Sequence, residues 1–181
     1  MTNSIQNKKA LLVIDVQENL VNPISKIHID PIGIDLFFGN VNKAVSRFNN
    51  NEDDVIYVIN EWINPIQNWM TGNVCKKGGK GIGLDKRLMI INDKIYSKSK
   101  PNSLTNKKLL KYLKENEISD IYVAGLLAEG CVKATVKGLR SEKINVFVIE
   151  DALGSKSQKN KNEVFNYFDR QDIIRIKINE I

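Results

Sequence analysis

Residues 121–132 read IYVAGLLAEGCV, an apolar run followed by small residues and then by Cys131. The apolar run is typical of a buried strand, and the residues after it predict a turn and a helix that opens at the cysteine. A thiol at the start of a helix lies near free backbone N–H groups and the positive end of the helix dipole, which favour the thiolate. We therefore expect Cys131 to be a nucleophile at the carboxyl end of a strand.

Strand and helix patterns alternate along the rest of the chain. Four continuous apolar runs predict strands at 10–16, 55–59, 121–124 and 146–149, and weaker runs predict two more at 94–97 and 173–178. Continuous runs are typical of strands that are covered on both faces. We therefore predict an α/β protein with a three-layer, Rossmann-like fold, in which helices cover both faces of a mostly parallel six-stranded sheet.

The composition limits the partners and the location of the protein. Lysine and arginine number 27 against 21 acidic residues, but most of the 27 are scattered lysines, whereas arginine is the residue that usually reads bases. No apolar segment is long enough for a signal peptide or a membrane span. Two distant cysteines do not indicate a disulfide framework. We expect a cytoplasmic protein that binds neither nucleic acid nor membrane.

Two further polar residues lie at predicted strand ends. Asp15 ends the first apolar run, and Lys98 directly follows the weaker strand at 94–97. Sites in parallel sheets lie at the carboxyl ends of strands, and a carboxylate at the end of a buried strand is costly unless it is paired. Taken singly, these residues could be a helix cap, a surface lysine and, for Cys131, a buried small hydrophobe. We expect the three to meet in one pocket.

Several motifs in this order and spacing resemble the isochorismatase-like cysteine hydrolase family, and the resemblance covers nearly the whole chain. The matching elements are Asp15-Val16-Gln17, Lys98 before Asn102-Ser103-Leu104-Thr105, Gly125 followed by Cys131-Val132 and Thr135, and Asp151-Ala152. The resemblance implies that residues 1–181 form a single isochorismatase-like hydrolase domain. It also implies a homo-oligomer, either a dimer or a tetramer, although neither can be chosen from the sequence.

The resemblance implies a catalytic triad of Asp15, Lys98 and Cys131. Cys131 would attack an amide or ureido carbonyl, Asp15 would take the thiol proton and later protonate the leaving amine, and Lys98 would hold positive charge near both. The backbone N–H groups of Leu127 and Cys131 would bind the oxyanion of the intermediate. The family commonly has a non-proline cis peptide bond, which maps to Leu126–Leu127.

The nicotinamidase branch of this family binds a divalent metal through an Asp-x-His pair and a later histidine. At the matching positions this chain reads Glu61-Trp62-Ile63 and Val74-Cys75. Glu61 could ligate a metal, but Ile63 and Val74 cannot, and one carboxylate does not make a site. The resemblance therefore implies the non-nicotinamidase branch, with no metal and no cofactor, and Cys75 is expected to be a buried structural residue.

The long segment 60–93 shows little periodicity, which is typical of an active-site wall or lid. Its glycines at 79, 81 and 83 do not have the spacing of a phosphate-binding loop and indicate a flexible loop instead. Leu20, Trp62 and Trp69 could line a substrate pocket, or they could be core or dimer contacts. The single histidine, His28, lies in a loop after the first strand and is expected to be a surface or capping residue.

The predicted function is a metal-independent cysteine hydrolase that cleaves a C–N bond of a small amide or ureido molecule. One alternative is vinyl-ether hydrolysis of an isochorismate-like acid, which would depend on Asp15 more than on the thiol. The other is a non-catalytic binding or regulatory protein, which a retained buried charge pair argues against because such a pair is costly for stability.

Overall fold

The computed structural model describes residues 7–181, and its sheet has the predicted architecture. The described part contains six strands, β1 (Lys8–Ile14), β2 (Asp54–Asn60), β3 (Ile95–Lys98), β4 (Ile118–Gly125), β5 (Asn145–Leu153) and β6 (Ile174–Ile176). They form one sheet in the order β3-β2-β1-β4-β5-β6, and every adjacent pair is parallel. The strand order reverses between β1 and β4, so the crevice above these two strands is the expected place for a site.

Helices cover both faces of the sheet. The α-helices are α1 (Glu18–Val21), α2 (Ile34–Asn50), α3 (Pro65–Met70), α4 (Lys107–Glu115), α5 (Lys133–Ser141) and α6 (Gln158–Asp169). Short 3₁₀ turns lie at Ser103–Thr105 and Ile178–Glu180, and a π-helical turn lies at Ala128–Val132. None of the helices within residues 7–181 combines the length and the hydropathy that a membrane crossing requires.

The first strand shows why its apolar run is continuous. Leu11 and Val13 pack into a core cluster beneath α2, whereas Leu12 and Ile14 pack into a second cluster beneath α4, α5 and α6. Successive side chains of a strand point to opposite faces, so a strand between two helical layers needs apolar residues at every position. The two clusters are the two cores of the three-layer fold.

The element boundaries differ from the predictions where polar residues intervene. The first strand ends at Ile14 rather than Val16, because Asp15 adopts a left-handed backbone conformation with φ 56°. Lys98 is the last residue of β3 rather than the residue after it. The helix expected to open at Cys131 instead begins at Ala128 with the π-helical turn, so the cysteine lies within the first turn.

Candidate active site

Asp15 and Lys98 form an ion pair that is closed to solvent. Lys98 Nζ donates a hydrogen bond to Asp15 Oδ2 at 2.9 Å, and the two side chains are 0% and 1% exposed. The strands β1 and β3 are not neighbours, so the lysine reaches across the end of β2. The Asp15 N–H is held by the Val58 carbonyl at 2.8 Å, which fixes the carboxylate at the strand end.

Asn60, the last residue of β2, connects this pair to the thiol. Its Oδ1 accepts a hydrogen bond from Lys98 Nζ at 2.8 Å, and its Nδ2 donates to Asp15 Oδ2 at 2.5 Å. The same Nδ2 lies 3.3 Å from Cys131 Sγ. The three residues proposed from the sequence are therefore brought together, with Asn60 between them. Sequence reasoning missed Asn60, although it ends an apolar run as Asp15 and Lys98 do.

Cys131 lies in the π-helical turn and is partly exposed, in contrast to the buried ion pair. The peptide bond between Leu126 and Leu127 is cis, at the position named from the sequence. Among the backbone hydrogen bonds of residues 7–181, none is donated by the Leu127 N–H, and the Cys131 N–H lies in a first helical turn, where backbone donors are normally free. An oxyanion role for the two N–H groups stays a prediction.

Gly125 lets the loop that carries the thiol pass close to β1. Its φ is +117°, and a Cβ at this position would lie 2.1 Å from the Ile14 carbonyl oxygen. The neighbouring Leu126 N–H donates to that same oxygen at 2.8 Å. A side chain at residue 125 would therefore separate the Cys131 loop from the strand that carries Asp15.

Burial is the largest single influence on the pKa of each ionisable group in the site, although it does not decide every direction. It raises the pKa of Asp15 above its ordinary value, although the charge of Lys98 and the hydrogen-bonding groups of Cys131 and Lys98 act against it. Burial opposes the charged form of Lys98, but the Asp15 charge and the neighbouring Cys131 outweigh it, so the Lys98 pKa is raised. The ammonium is therefore the stable form of Lys98.

The thiol differs from the expectation of a ready thiolate. Burial, followed by the Asp15 charge, raises the pKa of Cys131 to about 12, and the opposing effects of Lys98 and Asn60 do not cancel this. The expectation considered the helix terminus but not the desolvation of the sulfur beside a carboxylate. Cys131 thus rests as a neutral thiol, whose proton must be removed when a substrate is bound.

Gln17 fixes the backbone of Asn60 and ties the long 60–93 segment to the site. Its Oε1 accepts from the Asn60 N–H at 2.7 Å, and its Nε2 donates to the carbonyl oxygens of Asn60 at 3.1 Å and Ile82 at 2.5 Å. Asn19, two residues after Gln17, packs closely on Gly81, because a Cβ added to Gly81 would lie 2.3 Å from Asn19 Oδ1. The glycine-rich part of the segment is therefore packed against residues 17–19, in contrast to the flexible loop that was expected.

The candidate pocket residues lie in different environments. Leu20 is buried in the core beneath α2, Trp62 is partly buried against that core, and Trp69 is 79% exposed on α3. Leu20 therefore matches its core alternative. A substrate role for Trp62 or Trp69 stays a prediction.

The histidine and the second cysteine lie where the plainer interpretations placed them. His28 Nδ1 is 2.6 Å from the Ser25 carbonyl oxygen within its own loop. Cys75 is fully buried in the core beneath α2. Neither side chain makes a hydrogen bond to the cluster around Asp15 in the described part of the chain.

The nicotinamidase-type metal position does not fit a metal in this chain. Ile63 is 68% exposed and Val74 is buried in the core, and neither carries a ligand atom. Across residues 7–181, no three side chains of His, Cys, Asp or Glu are grouped so that they could hold an ion.

Other signature residues have structural roles. The Ser103 N–H donates to Thr135 Oγ1 at 3.0 Å, and the two hydroxyl oxygens are 2.9 Å apart in a buried contact. This contact joins the turn after β3 to the helix after Cys131, so it fixes the distance between the Lys98 and Cys131 elements. Asp151 Oδ1 accepts from the Ile178 N–H at 3.0 Å and holds the C-terminal turn against β5.

Solved structures share this fold over nearly the whole chain. An isochorismatase family protein from Desulfovibrio vulgaris has a TM-score of 0.86 at 15% identity, with 96% of each chain covered. N-carbamoylsarcosine amidase from Thermoplasma acidophilum has a TM-score of 0.83 at 21% identity, covering 96% of this chain and 98% of its own. Pyrazinamidase of Pyrococcus horikoshii, solved in complex with zinc, has a TM-score of 0.81 at 18% identity, covering 94% and 99%.

Sequence comparison gives the family directly. No curated protein matches the chain. The model of the isochorismatase domain matches residues 9–173, a span that includes Asp15, Asn60, Lys98 and Cys131. The chain therefore belongs to the isochorismatase family, whose members are hydrolases.

Proposed function

We propose that this protein is a cysteine hydrolase of the non-nicotinamidase branch, which cleaves the C–N bond of a small amide or ureido compound through an acyl-thioester on Cys131. The observation that carries the proposal is the buried Asp15–Lys98 pair, joined to the Cys131 sulfur through Asn60 at 2.5 and 3.3 Å. A nucleophile beside a base that a third group orients is the arrangement that covalent catalysis requires.

The two carboxylate oxygens of Asp15 have different hydrogen-bond partners and therefore different roles in the proposed reaction. Oδ2 accepts from both Lys98 and Asn60, whereas Oδ1 is buried without a hydrogen-bond partner among the described residues. Oδ1 is therefore the oxygen free to take the thiol proton. The raised pKa of Asp15 brings its basicity closer to that of the sulfur and makes the protonated carboxyl a competent acid afterwards.

In the first half of the reaction, Cys131 Sγ bonds to the carbonyl carbon as its proton passes to Asp15. The carbonyl oxygen becomes an oxyanion held by the Leu127 and Cys131 N–H groups. The C–N bond then breaks, and Asp15 returns the proton to the departing nitrogen. In the second half, Asp15 takes a proton from a water that attacks the thioester. The C–S bond then breaks, and Asp15 returns that proton to the released sulfur. No step passes through a metal, because the residues at the nicotinamidase position do not fit one.

A second candidate is vinyl-ether hydrolysis of an isochorismate-like acid. The raised pKa of Asp15 favours it, because protonation of the vinyl ether requires an acid and no nucleophilic sulfur. The two reactions make opposite demands on Cys131, so a pair of variants separates them.

The test is a panel of small amides and ureido compounds, with intact-mass measurement of the protein during turnover. The proposal expects release of the amine or ammonia and an acyl adduct on Cys131, both lost in Cys131→Ala. Hydrolysis that persists in Cys131→Ala but is lost in Asp15→Asn would instead establish the acid-catalysed reaction. A homo-oligomer, dimer or tetramer, remains part of the proposal, and light scattering of the same sample measures it.

A further inference from the structure

We propose that Asn60 stabilises the Cys131 thiolate by donating its second amide hydrogen to the sulfur, which makes Asn60 a fourth catalytic residue where the proposed hydrolysis takes place. Asn60 belongs to the site of the proposed function, and only its catalytic role rests on that function. The effect on the sulfur itself is measurable without any substrate.

The orientation of the amide follows from its neighbours. Lys98 has only donors, so the atom 2.8 Å from Nζ is the amide oxygen, and the amide nitrogen faces Asp15 and Cys131. An amide nitrogen carries two hydrogens. One is directed to Asp15 Oδ2 at 2.5 Å, and the other is available to Sγ at 3.3 Å.

This contact becomes stronger as the reaction proceeds. A neutral thiol is a weak acceptor, whereas hydrogen bonds to a charged acceptor are about twice as strong as neutral ones. When Asp15 takes the thiol proton, negative charge moves from the carboxylate to the sulfur. Asn60 Nδ2 contacts both Asp15 Oδ2 and Cys131 Sγ, so it keeps a negatively charged hydrogen-bond acceptor while the charge moves from one to the other. An interaction that strengthens along the reaction lowers the barrier rather than only improving binding.

The position of Asn60 is fixed on all sides. The residue is 1% exposed, and Gln17 pairs with both its N–H and its carbonyl oxygen. Gln17 is therefore a positioning residue for Asn60. An amide is the side chain that suits the site: aspartate would place a second carboxylate beside Asp15, and leucine would offer nothing to Lys98 or to the sulfur.

The experiment compares the pH dependence of Cys131 alkylation by iodoacetamide in the wild type, Asn60→Leu and Asn40→Leu. Asn40 is a matched control because it is also buried, at 5% exposure, and donates one hydrogen bond, to the Asp151 carbonyl, away from the sulfur. Peptide mass spectrometry separates Cys131 from Cys75. Below the thiol pKa the rate follows the thiolate fraction, so the offset between parallel rate profiles measures the shift.

The expected result for Asn60→Leu is an upward shift of about one pKa unit, seen as roughly tenfold slower alkylation at a given pH. Asn40→Leu should match the wild type. Asn60→Ser, which is small and polar but too short to reach the sulfur, should show the same slowing and decides the matter if the leucine variant does not fold.

An unchanged profile in a folded Asn60 variant, or an equal shift in Asn40→Leu, would overturn the inference. Failure of the proposed function has a different signature. In that case the wild type would hydrolyse no amide in the panel, while the Asn60 variants would still alter the alkylation of Cys131.

Discussion

Lys98 Nζ and Asp15 Oδ2 are 2.9 Å apart, and neither side chain is more than 1% exposed. Removing one partner of such a pair leaves the other charge buried without compensation, which costs about 3–5 kcal/mol. We therefore expect the pair to matter for the stability of the protein as well as for the proposed chemistry.

We expect Lys98→Met to lower the free energy of unfolding by about 3–5 kcal/mol near neutral pH. The loss should be smaller in acid. Without the lysine, the pKa of the buried Asp15 carboxyl rises further above its unfolded value, so the folded variant binds more protons than the unfolded chain. Its stability is then greatest below the unfolded Asp pKa and falls as the pH rises through the folded pKa.

Urea denaturation of Lys98→Met and the wild type at several pH values measures this difference. Lys111→Met is the control, because the Lys111 side chain is 71% exposed and its pairing with Glu115 at 3.5 Å is a surface contact of little value. A penalty for Lys98→Met that is the same at pH 4 and pH 8 would show that the lost lysine packing matters, and not the charge.

Asp15→Asn should reduce kcat by about 10²–10⁴-fold, because it removes the group that accepts the thiol proton in the proposed mechanism. Asp120→Asn is the matched control. Asp120 is 6% exposed and accepts hydrogen bonds from Asn7 and Asn145 in its own part of the sheet, near the start of β4. Steady-state kinetics of both variants on a substrate found in the amide panel should show the loss in Asp15→Asn alone. Comparable losses in both would mean that Asp15 acts through stability.

Much of the site could be predicted because its reactive residues follow apolar runs that are recognisable as strands. The apolar runs before Asp15, Lys98 and Cys131 indicated parallel strands, and the carboxyl ends of parallel strands meet on one edge of the sheet. The charge of Asp15 needed a buried partner, and Lys98 was a cation at the end of another predicted strand. The strand pattern predicted that these residues would lie at one edge of the sheet, and the resemblance to the isochorismatase-like family implied that they form a triad.

Asn60 and the state of the thiol could not be predicted in the same way. An amide carries no charge whose burial demands a partner, so nothing in the sequence separated Asn60 from other strand-end residues. Its position depends on a hydrogen bond to Gln17, which lies 43 residues away in the sequence. The pKa of Cys131 depends on how deeply the sulfur is buried beside Asp15, and a sequence motif does not contain that distance.

The raised thiol pKa leads to a prediction about reactivity. Because burial and the Asp15 charge raise the pKa of Cys131 to about 12, its alkylation by iodoacetamide should be slow at neutral pH and should rise about tenfold per pH unit between pH 7 and 10. Burial raises the pKa of Cys75 to about 12 as well, but that residue is fully buried and should stay unmodified in the folded protein. Peptide mass spectrometry of timed samples follows both cysteines. A Cys131 rate that reaches a plateau below pH 9 would contradict the neutral resting thiol.

Gly125→Ala should be among the most damaging single changes in the chain. The added Cβ would lie 2.1 Å from the Ile14 carbonyl oxygen, and the φ of +117° is strained for any side chain, so β1 and the Cys131 loop must move apart. Because that oxygen also accepts the Leu126 N–H, the displacement would carry Cys131 away from Asp15, and we expect activity to fall at temperatures where the variant is still folded.

Gly39→Ala in α2 is the control. In residues 7–181 no atom beyond the adjacent backbone of α2 and the two neighbouring residues lies within 4 Å of its added Cβ, and alanine in a helix interior is favoured by about 0.5–1 kcal/mol over glycine. Thermal unfolding should therefore show a lower Tm for Gly125→Ala and an equal or higher Tm for Gly39→Ala. A Gly125→Ala variant with wild-type stability and activity would show that the close approach of the Cys131 loop to β1 is not needed.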